Sequence, residues 1–269
     1  MENKNILFVS QEITPYLPES PMSNLTRFLP QAIQEGGNEV RVFMPRYGKV
    51  NERRNKLHEV IRLSGMNLII DDLDHSLIIK VASIQAARMQ VYFIDNEEYF
   101  KRKLVVTDKN GDYFDDNDER MIFFGRGVLE TVKKLRWTPD LVHCHGWMSA
   151  LVPLFTKTMY KDDPLFEEAK VIYSIYSKGF DNKFDASFKK KILSDDLKEN
   201  HIKDFEDLDY AALTELALKF SDGVIIGDEE VEPEILEIAK KSGLPILEYQ
   251  GEEDYEKAYS DFYQQIIGE

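Results

Sequence analysis

Strand-like and helix-like patterns alternate along most of the chain, and this alternation constrains the fold more than any other feature. A strand at Asn5 to Ser10 precedes a helix at Ser23 to Gly36, which starts on a Ser23 or Asn24 cap, and a strand at Glu39 to Met44 follows. A long helix at Asp118 to Lys134 leads into further alternation. The sequence therefore predicts an α/β fold, with a doubly wound, mostly parallel sheet and helices on both faces.

The alternation is interrupted once and then resumes. Four strand-like segments occur between Leu57 and Asp95, at residues 60–63, 67–70, 77–83 and 89–94, and they predict a β-hairpin insert. After the long helix we expect strand 141–143, helix 148–159, strand 170–175, helix 210–220 and strand 223–226.

The chain is strongly acidic, with a formal charge of −15 over 269 residues. Such a charge argues against nucleic acid or an anionic membrane as a partner. Residues 228–269 carry 13 acidic and three basic residues, yet apolar residues recur there at helical spacing from Tyr255 to Ile266. We expect one domain at residues 1–227 and an acidic α/β extension at 228–269 packed on the same domain.

The N-terminus and the cysteine content indicate the cellular compartment of the protein. Residues 1–5 lead directly into a strand, without the apolar region of a signal peptide, and no stretch is long enough to span a membrane. The single cysteine, Cys144, excludes an internal disulfide. We expect a cytoplasmic protein.

In open α/β sheets, ligands bind at the carboxyl ends of the strands. The first such loop, Gln11 to Ser23, contains no glycine, and Glu19 would repel a phosphate. A nucleotide-binding fingerprint is therefore absent, and we expect no cofactor.

His143-Cys144-His145 lies at the end of a predicted strand, where three uses are open. A metal site is disfavoured, since the other histidines are scattered and a strand points successive side chains to opposite faces. The histidines could hydrogen-bond a sugar hydroxyl or a developing oxyanion. They could also be buried and paired with protein groups, which the sequence alone favours.

An acidic patch precedes the long helix. It contains Asp112, Asp115, Asp116, Asp118 and Glu119, and Asn117 is the expected cap. Such carboxylates complement the helix dipole, but they also bind sugar hydroxyls well.

Several runs occur in a specific order along the chain: Ile6 to Tyr16, Gly37 to Tyr47, Asp116 to Arg120, Trp137 to Trp147, and Phe220 to Val224. In this order, over about residues 5–235, the chain resembles the N-terminal catalytic domain of bacterial glycogen and starch synthases.

The resemblance implies a retaining glucosyltransferase that transfers glucose from ADP-glucose to an α-1,4-glucan. It implies a single Rossmann-like lobe of a two-lobed glycosyltransferase fold, whose active site lies between the lobes. It also supplies candidate site residues, three catalytic and three substrate-binding: Asp116, His143 and His145, then Asn117, Arg120 and Trp147.

The chain also departs from the family pattern. The Lys-Thr-Gly-Gly-Leu loop, which contacts donor phosphate and sugar, falls on residues 18–22, Pro-Glu-Ser-Pro-Met. An aspartate becomes Asn24, and His-Ala-His-Asp-Trp loses its acid at Gly146. The donor-binding second lobe has no counterpart in this sequence. These departures predict that the chain does not transfer glucose on its own.

Three functions are compatible with these observations. The favoured one is a synthase-like lobe with a glucan-binding or regulatory role. The second is an active glycosyltransferase completed by a partner chain or a second copy over the exposed cleft face. The third is an interaction protein without a sugar ligand, acting through its acidic C-terminal segment.

Overall fold

The computed structural model describes residues 3–194, 197–203, 205, 207, 209–251 and 255–268. Ten strands in these residues form one sheet: β1 (Asn5–Ser10), β2 (Glu39–Pro45), β3 (His58–Glu59), β4 (Met66–Ile70), β5 (Leu73–Ile84), β6 (Met89–Asp95), β7 (Leu141–His145), β8 (Lys170–Ile175), β9 (Gly223–Ile226) and β10 (Ile246–Leu247).

The strand order is β10-β9-β8-β7-β1-β2-β6-β5-β3, and β4 pairs with β5 outside this path. Strands from β10 to β6 in this order are parallel, while β3, β4 and β5 pair antiparallel. The predicted α/β fold with a mostly parallel sheet is therefore confirmed, and β4 and β5 form the predicted hairpin.

The described residues contain these α-helices: α1 (Pro21–Glu35), α2 (Glu52–Asn55), α3 (Glu97–Phe100), α4 (Asn117–Leu135), α5 (Leu151–Lys157), α6 (Phe188–Ile192), α7 (Glu199–Ile202), α8 (Tyr210–Lys219), α9 (Pro233–Lys241) and α10 (Tyr255–Gly268). No helix in this part of the chain is both long and apolar enough to cross a membrane.

The helices cover both faces of the sheet. The β1-α1-β2 and β7-α5-β8 units extend in opposite directions from the centre of the sheet, and because both crossovers are right-handed, α1 and α5 lie on opposite faces. Helix α10 contacts α1. Helices α4 and α8 both contact α5, and α9 contacts α8. The sheet is thus buried on both sides, and nearly all residues of its central strands β1, β7 and β8 are buried.

Helix α1 begins earlier than predicted, because Ser20 rather than Ser23 or Asn24 is its N-cap. Ser20 Oγ accepts a hydrogen bond from the Ser23 backbone N–H at 3.0 Å, and Ser23 Oγ accepts one from the Ser20 N–H at 2.8 Å. This reciprocal pair places Pro21 at the first helical position, where its missing N–H costs nothing.

Two other local predictions are wrong. Residues 60–63 form a turn, and the strand precedes them at His58–Glu59. Asn117 is not the cap of α4, because its side-chain amide donates to the Val106 carbonyl and Asp116 holds the cap position.

The predicted helix at 148–159 is shorter and broken at its start. A 3₁₀ turn spans Trp147–Ser149, in which the Ser149 backbone N–H and hydroxyl both bond to the Gly146 carbonyl, and α5 follows from Leu151 to Lys157.

The acidic C-terminal segment contributes to the same sheet. β10 pairs with β9, and α10 buries Tyr259, Phe262, Tyr263 and Ile266. A Cβ on Gly223 of β9 would lie 3.0 Å from Ile266 Cδ1, so the helix approaches the sheet closely at this strand.

Candidate functional site

The carboxyl ends of β1 and β7 mark the point where the sheet reverses direction, because the chain moves to β2 on one side and to β8 on the other. In open α/β sheets such a switch point forms the ligand crevice. Ser10 of β1 lies opposite His145 of β7 in the parallel pair. The histidine predictions therefore fall at the topologically expected place.

Both histidines point to the face that α10 covers, and both are completely buried. Their rings lie 3.7 Å apart between centroids. His143 Nδ1 lies 2.5 Å from Tyr263 Oη of α10, and His143 Nε2 lies 2.7 Å from Ser174 Oγ. His145 Nδ1 lies 2.8 Å from Tyr176 Oη, whereas His145 Nε2 has no hydrogen-bond partner among the described residues.

Burial keeps both imidazoles neutral. Desolvation lowers the pKa of His143 well below its ordinary value, and neighbouring His145 lowers it further. Desolvation alone lowers the pKa of His145 to about 3. Each ring consequently carries one N–H and one lone pair, which suits a hydrogen-bonding group better than a general acid at neutral pH.

A cleft of about 710 Å³ lies beyond the end of β7, where residues from three segments meet. Its walls come from the loop before α4, the 3₁₀ turn after β7, and the segment between β8 and α6. Aromatic rings and polar side chains share these walls: Tyr113, Phe114, Asp116, Asn117, Glu119, Trp147, Phe180, Asn182, Phe184 and Lys191.

Asp116 lies in the cleft wall with one of its carboxylate oxygens unpaired. Asp116 Oδ2 accepts a hydrogen bond from Arg102, whose guanidinium also lies 4.1 Å from the Phe114 ring centroid. Asp116 Oδ1 has no hydrogen-bond partner within the described residues. Asp116 and the two histidines have separate sets of partners, so the structure does not join them into one cluster.

Arg120 and Asn117 hold the loop before α4 in place. The Arg120 guanidinium is fully buried and donates to the carbonyls of Tyr99 and Val105 and to Asn117 Oδ1. All of these bonds are internal, and burial lowers the pKa of Arg120 to about 10. Arg120 therefore bonds to other protein groups and does not line the cleft, whereas Asn117 lines the cleft and also bonds to Arg120 and Val106.

Trp147 forms the inner end of the aromatic wall. It packs edge-on against Phe180, with ring centroids 5.1 Å apart, and Phe180 contacts Phe184 at 4.8 Å. Trp147 itself is only 2% exposed. The more accessible rings of the cleft are those of Tyr113, Phe114 and Phe184.

An ion pair between α6 and α4 lies in the wall of the cleft. Lys191 Nζ lies 2.8 Å from both Asp118 Oδ2 and Glu119 Oε1 of α4. Burial lowers the pKa of Lys191, but the hydrogen bonds that its ammonium donates to these two carboxylates outweigh the effect of burial, and the pKa of Lys191 is raised. In the other direction, burial raises the pKa of Asp118 more than Lys191 lowers it.

Comparison with known proteins identifies the family. Residues 5–247 match the starch synthase catalytic domain. This chain belongs to that family. It is 39% identical over 176 residues to glycogen synthase from Pelodictyon phaeoclathratiforme and 40% identical over 177 residues to that from Chlorobaculum tepidum. Each match covers 65% of this chain and 36% of the relative, so the chain spans about a third of the length of these relatives.

The fold agrees with a solved structure of the same family. The catalytic domain of starch synthase IV from Arabidopsis thaliana, bound to ADP and acarbose, superposes with a TM-score of 0.66 at 20% identity. The match covers 83% of this chain and 45% of that chain, which supports the expectation of an α/β Rossmann-like lobe of a glycosyltransferase.

The first loop of this starch synthase lobe forms no open phosphate cradle. The reciprocal Ser20–Ser23 bonds use the Ser23 N–H, and Pro21 has no N–H to offer. Glu12 is buried beside them, accepting from Ser20 Oγ at 2.8 Å and from Lys178 Nζ at 3.0 Å. Glu19 is exposed and does not line the cleft.

Sequence reasoning missed part of the aromatic wall and the ion pair. Phe180, Phe184 and Phe188 recur every fourth residue, a spacing that could have indicated a packed aromatic run although the first two lie outside a helix. Nothing local indicates that Lys191 pairs with Asp118, 73 residues away. Among the described residues, no group of three or more His, Cys, Asp or Glu side chains is placed to hold a metal ion.

Proposed function

We propose that this starch synthase lobe binds an α-1,4-glucan in the cleft between Asp116 and Phe184 and does not transfer glucose by itself. The observation that carries the proposal is the unpaired Asp116 Oδ1 in a cleft wall that also presents aromatic rings. A buried carboxylate oxygen without a donor is costly, and a sugar hydroxyl would satisfy it with a charge-assisted hydrogen bond.

The rest of the cleft has matching chemistry. The rings of Tyr113, Phe114 and Phe184 offer flat apolar surfaces to the C–H faces of a sugar, while Asn182 and Glu119 can bond its hydroxyls. A volume of about 710 Å³ lies within the range of small-molecule sites, roughly 300–1,000 Å³. In this proposal Asp116, Asn117 and Trp147 contact or shape the glucan site, and Arg120 positions Asn117.

Calorimetric titration with maltoheptaose tests the binding. We expect a measurable binding signal for the wild type and a loss of roughly tenfold or more in affinity for Asp116→Ala, since a hydrogen bond to a charged group contributes about 1.5–3 kcal/mol. Asp112→Ala is the matched control, because it removes an exposed carboxylate of the same loop that does not line the cleft. A flat wild-type titration at millimolar sugar, or equal losses in both variants, would overturn the assignment.

The absence of autonomous transfer rests on the first loop. Residues 18–22 supply neither a lysine nor free glycine N–H groups for the charge that develops on a departing nucleotide. Labelled ADP-glucose with a glycogen primer and the purified chain should give no incorporation above a His143→Ala, His145→Ala control. Incorporation that depends on these residues would contradict this part.

One observation favours transfer completed by a partner chain or a second copy. Lys178 is 66% exposed, and its ammonium lies beside the first loop, where a cation could serve donor phosphate once Glu12 releases it. The same incorporation assay in the presence of host lysate tests this candidate, with Lys178→Met as the variant that should abolish any activity. As part of the proposal we also place the chain in the cytoplasm, because its single cysteine, Cys144, fits a reducing compartment.

A further inference from the structure

A hydrogen-bonded series of three side chains, His75, Tyr99 and Glu119, connects strand β5 to the wall of the cleft. His75 Nε2 of β5 lies 3.0 Å from Tyr99 Oη of α3, and the Tyr99 hydroxyl donates to Glu119 Oε2 of α4 at 2.9 Å. On the other side of the ring, His75 Nδ1 lies 3.1 Å from Glu98 Oε2. His75 and Tyr99 are buried, whereas Glu119 lines the cleft. The series therefore extends from the hairpin to a side chain that a ligand can contact.

Backbone contacts hold Tyr99 between β5 and α4. Asn96 caps the short helix α3, because its side-chain oxygen accepts from the backbone N–H groups of Glu98 and Tyr99 at 2.9 and 3.2 Å. The Asn96 amide also donates to the Ser76 carbonyl of β5 at 2.9 Å. From α4, the Arg120 guanidinium donates to the Tyr99 carbonyl at 2.8 Å. The position of Tyr99 is thus fixed independently of its hydroxyl group.

Proton accounting gives the series a direction. The Tyr99 hydroxyl has one proton to donate, and the Glu119 carboxylate can only accept. Burial raises the pKa of Tyr99, and the hydrogen bond to Glu119 raises it further, so the hydroxyl keeps this proton. Because the proton is directed to Glu119, Tyr99 Oη accepts from His75, which therefore carries a proton on Nε2.

The opposite direction would deprive Glu119 of one of its donors. If Tyr99 donated to His75 instead, Glu119 Oε2 would face the phenol oxygen at 2.9 Å with no proton between them. The other carboxylate beside His75 belongs to Glu98, which is 75% exposed, so water can replace the imidazole N–H there. Glu119 is only 24% exposed, and the loss of a donor costs more at this residue. The direction from His75 to Glu119 is therefore favoured for the neutral ring, and the charged ring has a proton on Nε2 in any case.

We infer that Tyr99 is a positioning residue of the glucan site, acting by fixing the Glu119 carboxylate at the cleft wall, and this inference rests on the proposed glucan binding. Tyr99 holds Glu119 Oε2, while Lys191 Nζ holds Oε1 at 2.8 Å. A carboxylate oxygen has two lone pairs, so each oxygen keeps one for a sugar hydroxyl. The two donors also restrict the rotamers of Glu119 in advance, which lowers the entropy that sugar binding would cost.

Calorimetric titration of the full chain with maltoheptaose tests the positioning role. Tyr99→Phe keeps the ring and removes the hydroxyl, and we expect the affinity to fall severalfold. Tyr47→Phe is the matched control. Tyr47 is also buried and also packs on Phe100, with ring centroids 5.9 Å apart against 6.4 Å for Tyr99, but its hydroxyl has no hydrogen-bond partner among the described residues. Tyr47→Phe should bind like the wild type, and equal losses in both variants, or no loss in Tyr99→Phe, would overturn the assignment.

A double-mutant cycle separates positioning from a general effect on the fold. Glu119→Ala removes the carboxylate and should itself weaken binding. In that background Tyr99→Phe should cause no further loss of affinity, because Tyr99 acts on the sugar through Glu119. A loss of the same size with and without the Glu119 carboxylate would overturn the positioning role, since Tyr99 would then act through the fold.

Long-range ¹H–¹⁵N spectra test the direction of the series without any ligand. At alkaline pH, where imidazole is neutral, we expect His75 of the wild type to carry its proton on Nε2. In Tyr99→Phe this proton loses its acceptor, and His75 should change to the Nδ1–H tautomer that donates to Glu98. A wild-type His75 protonated on Nδ1 alone would overturn the direction. A wild type that binds no sugar would overturn the proposed function, whereas sugar binding that does not respond to Tyr99→Phe would overturn only the positioning role.

Discussion

Replacing Lys191 by methionine should destabilise the protein far more than the same change at the adjacent Lys190. Lys191 is 11% exposed and contacts Asp118, whose side chain is 1% exposed, and Glu119, which is 24% exposed. Methionine keeps most of the aliphatic stem but leaves the Asp118 carboxylate buried without its cation. Removing one partner of a buried ion pair typically costs about 3–5 kcal/mol.

Lys190 provides the matched control. Its side chain is 73% exposed, and it pairs with Asp71, which is 42% exposed. Exposed ion pairs contribute about 0–1 kcal/mol, so Lys190→Met should change the free energy of unfolding by no more than that. In urea unfolding followed by circular dichroism, the midpoint of Lys191→Met should fall by about 1–2 M while that of Lys190→Met hardly moves.

The pH dependence of the Lys191→Met deficit follows from Asp118. Burial already raises the pKa of Asp118, and loss of the lysine raises it further. A carboxyl whose folded pKa is raised contributes stability when protonated, and this stability is lost as pH rises through the folded pKa. The deficit should therefore be largest near pH 7 and should shrink as the pH falls towards 4. Equal midpoints for the two variants at pH 7, or a deficit that does not respond to pH, would refute the reasoning.

Two further predictions concern the histidine pair and the C-terminal segment. Because the folded pKa values of His143 and His145 are depressed, the stability that they contribute is present above the unfolded pKa and is lost as pH falls below about 6.5, by up to about 2.7 kcal/mol per pH unit for two residues. Urea unfolding at pH 7, 6 and 5 measures this, and a His145 ring-proton shift that titrates near pH 6.5 would contradict it. We also propose that residues 228–269 extend the domain of residues 1–227. A chain ending at Gly227 should then lack cooperative unfolding, since each of the four buried side chains of α10 contributes about 1.5–3 kcal/mol, whereas unchanged unfolding would refute the packing argument.

Local patterning predicted the sheet well because its strands are short apolar runs with clear ends. The strands at 170–175 and 223–226 occur as predicted, and α8 starts at the predicted residue, Tyr210. Boundaries failed where side chains compete for backbone groups. Ser20 forms a reciprocal cap with Ser23, and the Asn117 amide bonds to Val106 rather than capping α4.

The position of the candidate site could be predicted from the sequence, but the hydrogen-bond partners of its side chains could not. The order of elements places His143 and His145 at the switch point, and the acidic patch before α4 lies at the cleft. Which groups pair is decided by long-range packing, as with Tyr263 on His143, 120 residues apart. The periodicity of α10 shows a buried face but does not show what that face meets.

Two departures from the family pattern are in contact, so they act as one change rather than two. Gly146 stands where the family has an acid, and Met22 ends the segment where the family has its glycine-rich loop. Gly146 has φ of 79°, and a Cβ there would lie 2.7 Å from Met22 Cε and 3.0 Å from Gln11 Oε1. An acid side chain therefore does not fit beside Met22 without displacing it. The same residue turns the chain between His145, which faces α10, and Trp147, which lines the cleft. Loss of the acid at Gly146 is thus linked through Met22 to the altered first loop.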